Sequence, residues 1–261
     1  MKNMTNAIFI LGCLVAAYLL YFFVLGAPGN FVDPEKLEPK EGNVLGTIYT
    51  GGILVGLLMA CILIALTFTI ERMFTIGKAG GSGNIKDFAS NVVGHVKAGN
   101  YDAAIAACDD QRGSLANVLR AAVERFRVVE EDATLNADQK LSETQRVIDE
   151  NMNLETPLLE KNLSILSTVA SVATMIGLLG TTLGMIRSFQ ALGASGTVSA
   201  QALSIGISEA LYNTAGGLIA AIISIVAFNF FTTKVDDFTY HMDEAILELM
   251  ETLSLKTGTK I

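Results

Sequence analysis

The long apolar stretch from residue 162 to residue 233 limits what this chain can fold into more than any other feature. It carries two charged side chains, Arg187 and Glu209, and small and polar residues interrupt it at Gly193–Ser199. Each half is long enough to cross about 30 Å of hydrocarbon. We therefore predict a hairpin of two membrane helices.

Two further apolar runs, Ala7–Gly26 and Leu45–Ile70, are also long enough to cross a membrane. The chain is 51% hydrophobic, has a mean hydropathy of +0.47 and contains no Trp, which is outside the range of ordinary soluble domains. The expected fold is an all-α polytopic membrane protein with four transmembrane helices.

The first apolar run has an alternative interpretation as a signal sequence, because it follows Lys2 near the start of the chain. The run is longer than the usual apolar core of a signal sequence, about 7–15 residues. Pro28 also stands where a cleaved product would be expected to begin. We expect a retained span.

Several function classes do not fit the composition. The net charge is −8 and the acidic residues form no block, so neither a nucleic-acid partner nor a polybasic lipid-binding patch is expected. The cysteines and histidines are spaced for neither a metal site nor a disulfide, and no nucleophile–base pair or phosphate-binding loop is visible. We therefore expect no metal, no cofactor and no enzymatic activity.

The distribution of Lys and Arg predicts the topology. Residues 71–161 contain eleven of them, whereas the segment Ala27–Val44 has two and the hairpin loop has none. The segment 71–161 and both termini are therefore expected in the cytoplasm, with the hairpin loop on the opposite side.

This topology divides the chain into five parts. They are an extra N-terminal span with a short periplasmic loop (1–44), a second span (45–72), a cytoplasmic helical domain (73–161), the membrane hairpin (162–233) and a cytoplasmic C-terminal helix (234–261). Apolar residues recur at helical spacing in Ile85–Ala107 and Ser114–Glu131. The pattern in Ala137–Asn153 and Phe238–Leu255 predicts that both hairpin helices extend into the cytoplasm, the first with a kink at Pro157.

The first arm of the hairpin has one hydroxylated face and one glycine face. At about 100° per residue, the hydroxyls fall within one arc and the glycines occupy the arc beside it. The residues are Ser164, Ser167, Ser171, Thr174 and Thr181 on the first face, and Gly177, Gly180 and Gly184 on the second. The glycine face indicates close helix packing. The hydroxyls either line a polar path or bond their own helix backbone.

Glu209 is the functional candidate of the second arm. Counting from Lys234, it lies about 37 Å along the helix, where an ionised carboxylate costs several kcal/mol unless it is paired or faces water. The alternative is an interfacial Glu that reaches headgroup water. Its helix face carries small and polar residues that can hold water or accept a partner helix: Gly206, Asn213, Gly216, Ala220 and Ser224. Arg187 is either its counter-ion or a residue that snorkels to the membrane surface.

Two motifs in the hairpin resemble a known family. Residues 177–185 read GLLGTTLGM and resemble G-L-x-G-T-x-x-G, and residues 206–218 read GISEALYNTAGGL and resemble G-I-x-E-A-L-x-x-T-x-x-G-L. In this order on adjacent spans, they are similar to the signatures of the ExbB, TolQ and MotA proton-channel family. The resemblance covers Leu45 to about Leu255, including Glu71-Arg72, and is closest to the ExbB and TolQ branch.

The resemblance implies a homopentamer in the inner membrane of a Gram-negative bacterium, with the last two spans around a pore. It implies that the pore encloses a dimer of a single-span partner, ExbD or TolR, with an essential Asp. Proton flow would then energise TonB-dependent uptake across the outer membrane. Thr181 and Thr214 match the family's pore hydroxyls, and Glu209 matches its buried acid. Further pore-lining or packing candidates are Ser171, Thr174, Gly177, Gly180, Gly184, Gly206, Asn213 and Gly217.

Two features depart from the family pattern. An ideal helix places Glu209 and Thr214 about 140° apart, so we expect Thr214 to face the pore and Glu209 to face elsewhere. The branch usually has three spans, which makes Ala7–Gly26 an addition of unknown purpose. A TolQ-like role in envelope maintenance and a passive membrane scaffold remain as alternatives.

Overall fold

The computed structural model describes residues 2–33, 38–195 and 200–258, and it confirms the all-α fold class. Besides a short antiparallel pair of strands, β1 (Phe31–Asp33) and β2 (Glu38–Pro39), these residues form helices and their connections. The helices are α1 (Lys2–Leu20), α2 (Val44–Tyr49), α3 (Ile53–Ala79), α4 (Ile85–Lys97), α5 (Tyr101–Gln111), α6 (Ser114–Glu131), α7 (Ala137–Glu160), α8 (Leu163–Ser195) and α9 (Ala200–Thr257).

In the described part of the chain, four helical segments are long and apolar enough to cross a membrane. They lie in Asn6–Leu25, Ile53–Ala79, Ala137–Gln190 and Leu203–Thr257. The first ends in a π-helical turn, Tyr21–Leu25, that continues α1. The predicted break at Gly193–Ser199 falls mainly on residues 196–199, which lie outside the described residues. The division of the chain at the membrane surfaces stays a prediction.

The chain folds as two compact units, of which the first comprises Met1–Ile70 and Asn162–Asn229. In this unit the N-terminal helix packs on α2 and α3 through aromatic rings. The rings of Tyr21 and Tyr49 stack with centroids 4.6 Å apart, and Tyr18 lies over Gly56. At the other end of α1, Asn6 donates a hydrogen bond of 2.7 Å to Asn162. The additional span therefore contacts the rest of this unit near both of its ends.

The second apolar run is not one helix, because it turns sharply between α2 and α3. Gly51 N–H donates to the Ile48 carbonyl over 3.0 Å, and Gly52 has a φ of +80°. That left-handed conformation is inexpensive only for glycine. We call Thr50–Gly52 the α2–α3 turn. It replaces part of the continuous helix expected over Leu45–Ile70.

The second unit comprises Glu71–Lys161 and Phe230–Ile261 and has a core of its own. Its largest fully buried apolar side chains include Phe126, Leu119, Ile148, Met242 and Leu249. The helix expected over Ile85–Ala107 is divided at Gly99, which has a φ of +77°. Asn100 then caps α5, since its side chain accepts a hydrogen bond from Ala103 N–H. The left-handed Gly99 and the cap at Asn100 therefore divide a segment whose apolar periodicity predicts one helix.

The first hairpin helix does not extend as one kinked helix through Pro157, because α7 ends at Glu160 and α8 begins at Leu163. Asn162 has a φ of +65°, and Pro157 lies inside the last turns of α7. Within the second unit, the buried Arg72 donates from Nη1 to the Leu159 carbonyl over 3.3 Å and forms two hydrogen bonds with Glu71. A cation is favourable at a helix C-terminus, where backbone carbonyls lack helical partners. The helix of the second hairpin arm, α9, is continuous over the 58 residues Ala200–Thr257, as the sequence predicts.

Candidate functional site

Thr181 of α8 and Thr214 of α9 face each other in the hairpin. Their hydroxyl oxygens share a hydrogen bond in which either can be the donor. Each oxygen also lies 3.2 Å from a carbonyl of its own helix, Gly177 for Thr181 and Ala210 for Thr214. In one arrangement Thr181 donates to Thr214 and Thr214 donates to the Ala210 carbonyl; in the other, Thr214 donates to Thr181 and Thr181 donates to the Gly177 carbonyl. Rotation of both hydroxyls therefore reverses the hydrogen bond between the helices.

Glycines let the two helices approach closely enough for this contact. A Cβ atom on Gly177 would lie 3.0 Å from the Asn213 carbonyl oxygen, and one on Gly217 would lie 2.7 Å from the Ala173 carbonyl oxygen. Farther along, Gly184 lies against the backbone of Gly206. Small residues that allow backbone contact are the usual basis of helix association in lipid. The predicted glycine face of α8 therefore lies against α9.

Glu209 lies on a different face of α9 from Thr214 and contacts the α2–α3 turn. Its carboxylate forms an ion pair with Arg187 of α8, and its side chain is 12% exposed whereas that of Arg187 is 57% exposed. A Cβ atom on Gly52 would lie 2.7 Å from Glu209 Oε1. The turn thus covers the carboxylate on one side. The pairing offsets part of the cost of placing a carboxylate in an apolar segment.

Asn213 joins α9 to the same turn. It is fully buried, and its Nδ2 donates to the Gly51 carbonyl over 2.7 Å and to the Glu209 carbonyl over 2.9 Å. Its side chain fills the space that Gly180 leaves on α8. Within the described part of the chain, Asn213 Oδ1 has no hydrogen-bond donor.

The other hydroxylated candidates do not join this group. Ser171 Oγ donates to the Ser167 carbonyl over 3.3 Å and Thr174 Oγ1 to the Ala170 carbonyl over 3.0 Å, and both residues are exposed. These contacts are the local backbone bonds that hydroxyls make in helices. Their role in a pore stays a prediction.

Some residues of the site were not singled out from the sequence. Gly51 and Gly52 contact Asn213 and Glu209, and the buried Ser188 fills the space beside Gly206. The adjacent glycines after Thr50 were a usable signal, since paired glycines commonly mark a turn. Ser188 had no such signal.

Together, the helices and the polar groups between them define a multi-pass helical membrane protein with a hydroxyl pair and a covered ion pair inside its apolar hairpin. A family model described as the MotA/TolQ/ExbB proton channel family matches residues 111–244, slightly more than half of the chain. The chain belongs to this family.

Curated relatives agree with that assignment. Over 93 residues the chain is 41% identical to the Tol-Pal system protein TolQ of Haemophilus influenzae, covering 36% of this chain and 41% of the relative. Over 77 residues it is 46% identical to the biopolymer transport protein ExbB of Aquifex aeolicus, covering 30% and 52%. TolQ of Pseudomonas aeruginosa is 30% identical over 125 residues, covering 48% and 54%. The matched part spans about half the length of these relatives or less.

Proposed function

We propose that this chain is the ExbB-like channel and stator subunit of a motor in the inner membrane of a Gram-negative bacterium. It would assemble as a homopentamer around a dimer of an ExbD-like single-span protein. Proton flow through the complex would energise import across the outer membrane through a TonB-like protein. The role is not enzymatic, because a proton moves while no bond of a substrate is broken.

The hydroxyl pair of Thr181 and Thr214 carries this proposal. Either hydroxyl of the pair can donate to the other, so the hydrogen bond between the two helices can reverse inside the apolar hairpin. A neutral hydroxyl does not retain an extra proton, so a conducting path also needs a carboxylate. Glu209 contacts Arg187 and the α2–α3 turn rather than the hydroxyl pair. An acid supplied by a partner helix in the pore would complete the path.

The main alternative is a TolQ-like subunit of the Tol-Pal system. Relatives named TolQ and relatives named ExbB match with similar identity, so the comparisons support both. Purification of the complex from membranes, followed by identification of the single-span protein that accompanies it, tests the choice. Loss of nutrient uptake in a deletion strain supports the ExbB-like role, whereas detergent sensitivity with normal uptake supports the TolQ-like role.

The proton-path proposal is tested by Thr181→Val and Glu209→Gln. Both variants should assemble with the partner and lose transport, because Val removes the hydroxyl at constant shape and Gln removes the charge. Thr182→Val is the matched control for Thr181, since Thr182 is exposed and its Oγ1 donates to the Leu179 carbonyl of its own helix over 2.8 Å. Normal uptake of iron complexes or vitamins in both test variants would contradict the proton path and favour a passive scaffold.

A further inference from the structure

The α2–α3 turn is attached to α9 at the position of Glu209. Gly51 offers its carbonyl to Asn213 Nδ2 over 2.7 Å, and Gly52 lies directly against Glu209 Oε1. Gly52 has a φ of +80°, so the backbone reaches the carboxylate in a conformation that other residues rarely adopt. Two adjacent residues of the turn therefore contact two polar groups of α9.

The amide of Asn213 has one favourable orientation in this position. The two neighbours of Nδ2, the carbonyls of Gly51 and Glu209, are both acceptors, so they require the NH₂ group on that side. Oδ1 is then left buried, and no donor for it occurs among the residues that the structure describes. Burial of an unpaired amide oxygen is unfavourable. A residue present only to fill the space beside Gly180 would be apolar, so the two N–H donors are the useful part of this side chain.

We propose that Asn213 is a positioning residue for Glu209. Its amide holds the Gly51–Gly52 backbone against α9, and this backbone keeps the Glu209 carboxylate covered and directed to Arg187. Asn213 itself contacts neither the carboxylate oxygens nor the Thr181–Thr214 pair through its amide hydrogen bonds. It acts on the acid through the turn. This inference rests on the proposed function for its effect on transport, but the position of the Glu209 carboxylate can be measured without it.

The test measures how accessible Glu209 is to a carboxyl reagent in the assembled complex. Membranes that contain the full complex are treated with dicyclohexylcarbodiimide, and modified Glu209 is quantified by peptide mass spectrometry, with Glu209→Gln as the blank. Asn213→Ala should raise the labelling rate of Glu209 roughly five-fold, the factor that corresponds to one lost hydrogen bond of about 1 kcal/mol. The matched control is Ser224→Ala, because Ser224 is equally buried on α9 and bonds the Ala220 carbonyl of its own helix.

A second variant approaches the same contact from the turn. Gly52→Ala places a Cβ atom against Glu209 Oε1 and should displace the carboxylate, which also raises its labelling. Gly42→Ala controls for backbone strain, since Gly42 has a similar φ of +75° and nothing within 4 Å of its added Cβ. Asn213→Leu, which removes both N–H donors but still fills the space beside Gly180, decides the question if Asn213→Ala does not assemble.

The outcomes separate the two proposals. Raised labelling of Glu209 in Asn213→Ala or Asn213→Leu, with unchanged labelling in Ser224→Ala, supports the positioning role, and higher labelling in Gly52→Ala than in Gly42→Ala supports the cover by the turn. Wild-type labelling in the variants that assemble overturns it, even if their thermal stability falls, because a purely structural role predicts that result. Normal transport by both Glu209→Gln and Thr181→Val would overturn the proposed function, whereas the labelling of Glu209 decides the positioning role separately.

Discussion

Asn213 and Thr214 are adjacent in the sequence and have separate environments. A helix rotates about 100° between neighbours, so Asn213 lies buried between Gly180 and the α2–α3 turn while Thr214 reaches Thr181. Glu209 contacts the same α2–α3 turn as Asn213. The acid and the hydroxyl pair are therefore separate polar groups. Each can be altered by substitutions that leave the other in place.

Cys108 shows how burial controls chemistry at a single residue. The thiol is 2% exposed in α5, and burial, with a smaller contribution from Asp109, raises its pKa from 9.0 to about 12. At pH 8 roughly one folded molecule in ten thousand carries the thiolate that reacts with maleimides. In a protein with Cys13→Ala and Cys61→Ala, we expect no labelling until a denaturant is added. Mass spectrometry checks this, and rapid labelling of the native protein would contradict it.

The same pKa shift has a consequence for stability at high pH. The folded state keeps the Cys108 thiol neutral, whereas in the unfolded chain the thiol ionises near 9.0. Its contribution to the free energy of unfolding is therefore fully present below pH 9 and decreases as the pH rises from about 9 towards 12.

At the scale of elements, α8 and α9 associate through backbone contacts rather than through interlocking large side chains. Gly177 and Gly217 face each other, and many large apolar residues of both helices, such as Leu178 and Ile219, are exposed in the single chain. Glycine inside a helix costs about 1 kcal/mol relative to Ala. Keeping it here is favourable because it brings Thr181 within hydrogen-bond reach of Thr214.

Two neighbouring glycines of α9 test this packing. Gly217→Ala places its Cβ 2.7 Å from the Ala173 carbonyl oxygen, whereas Gly216→Ala places it 3.3 Å from the flexible end of Leu58. Both changes gain the same helix propensity, so their difference measures the contact. We expect Gly217→Ala to destabilise by roughly 1–3 kcal/mol and Gly216→Ala to be neutral or stabilising. Thermal unfolding in detergent provides the measurement, and equal melting temperatures would argue against a tight seam.

At the scale of the whole molecule, the chain divides into two units with different chemistry. The first contains the long apolar helices, the glycine seam and the Arg187–Glu209 ion pair. In the second, exposed ion pairs such as Arg120–Asp109 and Arg127–Asp102 lie around an apolar core. Exposed pairs contribute little to stability, so each unit depends mainly on its own packing. This contrast agrees with a membrane unit and an aqueous unit.

The predicted topology can be tested with single cysteines. With Cys13, Cys61 and Cys108 replaced by Ala, Glu41→Cys in the α1–α2 connection should react with a membrane-impermeant maleimide in cells with an opened outer membrane. Gly258→Cys should react only after the inner membrane is permeabilised. The physical reason is the excess of Lys and Arg in residues 71–161, which predicts that this segment stays on the cytoplasmic side. Reversed labelling of the two sites would overturn the topology.

The fold class and the family could be recognised from local patterns. Four apolar runs, the helical spacing of small residues and the two motifs around Gly177–Met185 and Gly206–Leu218 are visible without tertiary information. Helix length and backbone hydrogen bonding in lipid leave few alternatives for such runs. The opposite orientations of Glu209 and Thr214 also follow from helix geometry.

Long-range contacts were beyond these patterns. The hydrogen bond from Asn213 to Gly51 joins residues 162 positions apart, and the turn at Gly52 interrupts a segment whose apolar composition favours one continuous helix. Periodicity shows which face of a helix is distinctive but not which element lies against it. The cover over Glu209, the ion pair with Arg187 and the meeting of Thr181 with Thr214 depend on how separate helices pack, and packing is a property of the folded chain.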